Sequence, residues 1–298
     1  MKNDRVKVLF DTDIGSDIDD ALALTYLLGE PRCDLVGVTT VTGEPARRAE
    51  MVSAICRHMG RDDIPIHVGA SVPFLIPQRQ PRAPQADALD QWPRRRFDAE
   101  PTALEFLRQT IRAHPGEITL LAVGPLTNVG ALFAADPDIP AMLKALVLMC
   151  GRFFAAAGGE WNAMGDPHAT AIVYGNGPQS RPPRHVSYGL DVTTRCVLPA
   201  DECRRRFAIR ALEPVRDFAE VWFRRCPTVT FHDPLAAVSV FDPDVCHYRL
   251  GRVAVSLTPP TAGWTVFQTS KEDASHAVAS EVDADRFFER YFSTLHAP

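Results

Sequence analysis

Five aspartates fall within ten residues near the start of the chain: Asp11, Asp13, Asp17, Asp19 and Asp20. Carboxylates this close repel one another, and a helix N-terminus relieves only about 0.3–1 kcal/mol per charge. A hard cation resolves the conflict, because Ca²⁺ or Mg²⁺ takes several carboxylate oxygens at once. A solvated loop capping a helix would account for one such acid, but not for five beside an apolar strand. Further along stand Glu160-Trp161-Asn162 and His232-Asp233-Pro234. These add an acid, an amide and a further carboxylate that can hydrogen-bond a ligand, and an imidazole with an ordinary pKa near 6.5 suits proton transfer.

These side chains need elements to place them. Val6–Phe10 reads as a buried strand and Ala21–Leu28 as a helix closed by Gly29, so the acidic run occupies a strand-to-helix loop. In α/β proteins that position faces the ligand crevice. Leu35–Val41 predicts a second strand, and Glu44-Pro45 opens a helix to about Met59 with Pro in its first turn. A short strand follows at Ile64–Gly69, and such spacings indicate βαβ units and a largely parallel sheet. The alternation continues with helix Thr102–Ala113, strand Ile118–Val123, the loop Gly124–Asn128 into a helix ending at Ala135, and strand Leu143–Cys150. Gly151–Gly165 reads as a Gly/Ala-rich loop, and Asp166-Pro167 caps a helix Ala169–Tyr174.

A strand and turn over 184–194 precede helices Ala200–Ile209 and Glu213–Arg225, and the polar loop Thr228–Pro234 enters a helix Leu235–Phe241. The tail alternates like antiparallel strands over Tyr248–Val255, Trp264–Phe267 and His276–Ser280, then closes with a helix Asp283–Leu295. Residues 71–99, with five prolines and weak periodicity, fit an ordered flap over the crevice and a plain surface excursion equally well. The expected fold is one α/β domain, a largely parallel, mixed central sheet flanked by helices.

Bulk properties narrow the function. The 298 residues are 46% hydrophobic and 23% charged, with net charge −5, as in soluble globular proteins. Only four residues are lysine and no basic block occurs, so nothing argues for nucleic-acid or membrane binding. No apolar run approaches the ~18–20 residues of a membrane span. Cys33, Cys56, Cys150, Cys196, Cys203, Cys226 and Cys246 are scattered and form no Cys-x-x-Cys pair, which suits buried thiols in a reducing compartment. Met1–Arg5 leads directly into the first strand, and the expectation is a cytoplasmic protein.

The acidic loop resembles the signature of the inosine/uridine-preferring nucleoside hydrolases: Asp-x-Asp, a glycine, then Asp-Asp and an apolar helix. Here two more residues separate Gly15 from the Asp pair, and Asp19-Asp20-Ala21-Leu22 sets the register, leaving Asp17 as an inserted acid. Gly37–Val41 with Gly43 after it, Gly124–Asn128, Glu160-Trp161-Asn162, Asp166-Pro167 and His232-Asp233-Pro234 follow in the family's order over nearly the whole chain. The resemblance implies hydrolysis of the N-glycosidic bond of ribonucleosides to ribose and free base, in a homodimer or homotetramer. It implies one Ca²⁺ held by Asp13, Asp20, Asp233 and the backbone carbonyl of Thr127, with Asp13 also the general base. Asp19, Glu160 and Asn162 match ribose-binding positions, and His232 is the obvious donor to the leaving base. A carboxylate-rich pocket suits the positive charge that grows on the ribosyl ring. Trp161 replaces the usual Phe, Glu44 stands where the family usually has Asn, and residues 71–99 lack the familiar His. These departures touch specificity, leaving purine, pyrimidine and modified bases open.

Plainer roles stand beside each assignment. Glu160 and Asn162 also fit as polar loop residues, Thr127 as a cap before Asn128, His232 as a helix-entry residue and Trp161 as core. Two other functions compete. A haloacid-dehalogenase-like, Mg²⁺-dependent phosphatase would use Asp11-Thr12-Asp13 and Thr39-Thr40, with Lys144 its only mid-chain lysine, and would leave the later motifs unexplained. A metal-dependent nucleoside or sugar binder would need neither a base nor an acid, and the chain offers both in Asp13 and His232.

Overall fold

The computed structural model describes residues 5–154, 158–176, 185–270, 272 and 274–296. Its strands are β1 Val6–Thr12, β2 Cys33–Thr40, β3 Ile66–Val68, β4 Ile118–Ala122, β5 Ala145–Met149, β6 His185–Tyr188, β7 Val197–Pro199, β8 Thr228–Thr230, β9 Cys246–Val255, β10 Thr265–Thr269 and β11 His276–Val282. Nine of them form one sheet in the order β10-β9-β11-β6-β5-β4-β1-β2-β3. Every pair from β3 across to β11 is parallel, and β9 runs antiparallel to both β11 and β10.

The apolar runs become central strands because both faces of the sheet are covered. Val8 and Phe10 of β1 face a core built with helices Asp19–Gly29, Pro45–His58, His232–Ser239 and Ala284–Leu295. Leu9, with Leu120 and Ala122 of β4, faces the opposite core, against helices Ala103–Ala113, Thr127–Ala135 and Pro167–Asn176. From β1 the chain moves outward through β2 to β3, then returns to lay β4 on the other side of β1. That reversal opens a crevice beyond the carboxyl ends of β1 and β4.

Several elements depart from expectation. Residues 161–165 of the expected loop form a short helix, Trp161–Gly165, while Ala155, Ala156 and Ala157 of that loop lie outside the described residues. Over 184–194 the expected strand is β6 and the expected turn after Gly189 is helical, Leu190–Thr193; Arg184 lies outside the described residues. The supposed loop at 228–234 contains β8, which pairs antiparallel with β7, and the helix after it starts at His232. In the tail, β11 joins the main sheet through a parallel pairing with β6, a long-range contact that local alternation does not encode. Residues 71–99 include a 3₁₀ stretch, Pro84–Gln91, anchored by buried Ala83, Gln85, Ala86 and Leu89. Among the described residues no helix is long and apolar enough to cross a membrane.

Candidate active site

β1 ends at Thr12, whose hydroxyl donates to Asp20 Oδ1 at 2.5 Å and accepts the Ile14 N–H at 3.1 Å. Asp11 points away from the crevice. Its Oδ2 accepts from the Thr39 hydroxyl at 2.5 Å and the Asn128 amide at 2.7 Å, tying β1 to β2 and to the helix after β4. Burial pushes this carboxyl up to about 7, and its two hydrogen bonds, with its place off the cavity lining, make Asp11 a strut. The loop then wraps around Arg48, a fully buried guanidinium from helix Pro45–His58. Arg48 donates to the carbonyls of Asp13, Ile14 (2.9 Å), Thr42 (2.8 Å) and Arg82 (3.1 Å).

Asp19 and Asp20 open helix Asp19–Gly29 without capping it; the cap position is Ile18. Asp233 comes from the first turn of helix His232–Ser239, and its N–H donates to Asp19 Oδ2 at 3.1 Å across 214 residues of sequence. Phe231 anchors that helix start. Its ring is fully buried 5.1–6.2 Å from those of Phe287, Phe288, Tyr291 and Phe292, and Tyr291 in turn donates to the carbonyl of Leu22. The closing helix therefore braces both acid-bearing helices.

Asp19, Asp20 and Asp233 offer carboxylate oxygens that all lie within 4.8 Å of one another, and each residue is buried. Asp13 stands beside this trio. A Cβ on Gly124 would lie 2.8 Å from Asp13 Oδ1, so only glycine allows that approach, and Gln80 Nε2 donates to Asp13 Oδ2 at 2.5 Å. Burial, and next the repulsion of neighbouring acids, hold Asp19, Asp20 and Asp233 well above the usual carboxylate range. Burial also raises Asp13, against the pull of Arg48, and lifts the inserted Asp17 to about 7. An all-oxygen, acid-rich and buried donor set of this kind fits a hard divalent cation.

The acids line a cavity of about 420 Å³ that also receives Glu160, Trp161, Asn162 and His232. Glu160 caps helix Trp161–Gly165: Oε1 accepts from Asn162 N (2.7 Å), and Oε2 from Ala163 N (2.9 Å) and Gly151 N (3.0 Å). Asn162 Nδ2 donates to the carbonyls of Val123 (2.6 Å) and Met149 (3.0 Å), clasping the ends of β4 and β5. Both residues thus have structural partners and still face the cavity. Trp161 is 46% exposed, which places it on the pocket surface and not in the core. His232 Nδ1 lies 2.7 Å from the Thr193 hydroxyl, and burial lowers its pKa to about 4. Thr127 sits off the cavity wall: its hydroxyl donates to Asp166 Oδ2 at 2.9 Å, and at the carboxyl end of β4 it is Val123 that lines the space.

Gln80, Arg82, Trp222 and Arg225 complete the rim and were not marked by any motif. They belong to the proline-rich excursion and to the end of the helix Glu213–Phe223 with the turn after it. Arg48 also passed unmarked, although an arginine on the apolar side of a helix behind an acidic loop is a readable signal. Lys144, which a phosphatase would need near the acids, is exposed at the amino end of β5, the opposite edge of the sheet from the crevice.

Residues 8–289 match the family described as inosine-uridine preferring nucleoside hydrolase. The chain is 29% identical to uridine nucleosidase 1 of Arabidopsis thaliana over 280 residues, covering 87% of this chain and 81% of that protein. It is also 29% identical to the non-specific ribonucleoside hydrolase RihC of Salmonella newport (strain SL254) over 295 residues, 94% of each. Its fold is that of solved nucleoside hydrolases, among them the plant enzyme PpNRh1 (TM-score 0.81, 24% identity, 98% of this chain and 99% of that one) and an inosine-guanosine nucleoside hydrolase (TM-score 0.83, 21% identity, 99% of each). With the span from within β1 to the middle of the closing helix matched, the chain belongs to the inosine-uridine preferring nucleoside hydrolase family and is a hydrolase of N-glycosyl bonds.

Proposed function

We propose that the protein is a Ca²⁺-dependent ribonucleoside hydrolase in which Asp13 is the general base and His232 the donor to the leaving base. The observation that carries this reading is the convergence of Asp19, Asp20 and Asp233 within 4.8 Å at the carboxyl end of β1, with Asp13 beside them. Asp13, Asp20 and Asp233 would hold the cation, with Asp19 beside them. When bound, a divalent cation supplies charge that binds ribose hydroxyls and acidifies a water.

The chain's own groups do the rest. Asp19, Glu160 and Asn162 face the sugar, where acids and an amide can accept from or donate to hydroxyls at fixed angles. Asp13 takes the proton of the attacking water. The ring of carboxylates stabilises the positive charge that develops on the ribosyl group. Burial holds His232 below the ordinary imidazole range, so it takes up a proton from solvent as negative charge grows on the departing base and passes it to that base, while the proton Asp13 receives from water returns to solvent. Trp161, Trp222 and the arginines at the rim face the base.

Released reducing sugar from inosine and uridine, followed for the wild type and Asp13→Asn, tests this reading. The substitution keeps shape but cannot accept a proton, so turnover should fall by about 10²–10⁴-fold with smaller change in affinity. A wild type inactive on a full nucleoside panel with Ca²⁺ present would reject the function. An Asp13→Asn protein within a few-fold of wild type would reject the base.

A further inference from the structure

We infer that Gln80, from the excursion at 71–99, is a positioning residue for Asp13, and that the indole N–H of Trp161 sets its orientation. The inference rests on reading Asp13 as the general base. A glutamine amide has one accepting end and one donating end, while an indole N–H only donates. Trp161 Nε1 donates to Gln80 Oε1, which commits the amide's NH₂ to the other side. There it reaches Asp13 Oδ2 at 2.5 Å and Ser16 Oγ at 2.7 Å. Ser16 Oγ also accepts from Arg48 Nη1 at 3.0 Å, so the contact closes onto the guanidinium that shapes the acidic loop.

The backbone of Gln80 is fixed as well. A Cβ on Gly43 would run into its carbonyl oxygen, and Gln78 Oε1 accepts its N–H at 2.8 Å. Gln78 Nε2 in turn donates to Thr42 Oγ1 at 2.9 Å. Three residues on, the Ala83 N–H donates to Glu44 Oε2 at 3.0 Å. The two residues that depart from the family pattern, Trp161 and Glu44, thus both hold this segment through their side chains: the indole at the Gln80 side chain, the carboxylate at the backbone N–H of Ala83. A phenylalanine at 161 would have no N–H to give, and the amide would lose what orients it. Held at Oδ2, the Asp13 carboxylate keeps one rotamer and presents its remaining lone pairs to the cavity. Displacing such a group by about 1 Å costs on the order of 10²-fold in rate.

The test compares Gln80→Met, Trp161→Phe and the double variant with the wild type and Asp13→Asn, all Ca²⁺-replete, on uridine and inosine. Gln80→Met should lower kcat about 10–100-fold with KM within about 3-fold. Trp161→Phe keeps the ring, loses the N–H, and should lower kcat by about 3–10-fold; the double variant should be no worse than Gln80→Met. Gln80→Met should also shift tryptophan emission, and the shift should vanish on the Trp161→Phe background. Should Gln80→Met fold poorly, Gln80→Glu keeps size and the acceptor for Trp161 but sets an anion against Asp13. It should retain the emission and lose at least as much kcat. Gln80 variants within about 2-fold of an active wild type, or single losses that multiply in the double variant, overturn this inference alone. A wild type without turnover, or an unimpaired Asp13→Asn, removes the base reading and this inference with it.

Discussion

The floor and the rim of the cavity are built by different means. Asp13, Asp19, Asp20 and Asp233 on the floor are 3–5% exposed and come from the end of a central strand and the first turns of two packed helices. Thr12, Arg48 and the Asp233 N–H hold their loop and their carboxylates from behind. On the rim, Arg82, Trp161 and Arg225 are exposed and come from an excursion, a five-residue helix and a turn. Rigid elements keep a reacting group within the fraction of an ångström that chemistry needs, whereas loops tolerate exchange. On the proposed reading, the floor would carry what all nucleosides share, the ribosyl group, and the rim what distinguishes them.

Breaking the floor should have the largest effect. Asp20→Ala removes one carboxylate of the trio and the acceptor of the Thr12 hydroxyl, so metal and activity should disappear together. Full turnover in protein that elemental analysis finds metal-free would separate the acids from the chemistry. The same acids make a stability prediction with a definite sign. Asp17 and its neighbours have folded-state pKa values above their ordinary 3.8, with Asp17 near 7, so the metal-free fold is favoured while they are protonated. That contribution is present below 3.8 and lost as pH rises through about 7. Added Ca²⁺ should therefore raise the Tm of chelator-treated wild type more at pH 8 than at pH 5. An equal gain at both pH values would mean that the cation binds elsewhere.

His232 stands between floor and rim, and its role is read from a ratio. If it protonates the departing base, His232→Ala should slow natural nucleosides by about 10²–10⁴-fold. A ribosyl p-nitrophenyl substrate, whose phenolate leaves unprotonated, should hardly respond. A helix-entry role would harm both alike, because Asp233 is the next residue and would shift with it. Equal losses with metal retained would assign the proton to another group.

How much of this was legible follows the same division. The acidic loop could be read because a strand, a cluster of acids and an apolar helix are adjacent in sequence, and the parallel half of the sheet followed from its βαβ spacing. The pairing of β7 with β8 could not, since two three-residue strands show no period. The backbone carbonyl assigned to Thr127 rested on the motif Gly124–Asn128, and the residue that lines the cavity at the end of β4 is Val123, just before that motif. Gln80, Arg82, Trp222 and Arg225 converge only through tertiary packing, and exposed polar residues in a proline-rich stretch look the same whether they face a cavity or bulk water.

The smallest expected effect lies at the rim, and it sharpens the comparison most. Arg225 lines the cavity from the turn after helix Glu213–Phe223, three residues before the strand that leads into Phe231 and His232. Trp222 Nε1 donates to the Thr228 carbonyl at 2.9 Å, which fixes the indole beside that turn independently of the arginine. A guanidinium only donates hydrogen bonds, so at the rim it would read acceptor groups on a base. An interaction made equally in ground and transition states changes KM and leaves kcat alone. Arg225→Ala should accordingly raise KM by about 3–10-fold for bases rich in ring oxo groups, with less change for amino-substituted bases and kcat nearly constant. Measuring KM and kcat for uridine, inosine, cytidine and adenosine in one variant decides it. A uniform fall in kcat across all four would mean that Arg225 supports the floor, and the division between a shared floor and a discriminating rim would have to be redrawn through helix Glu213–Phe223.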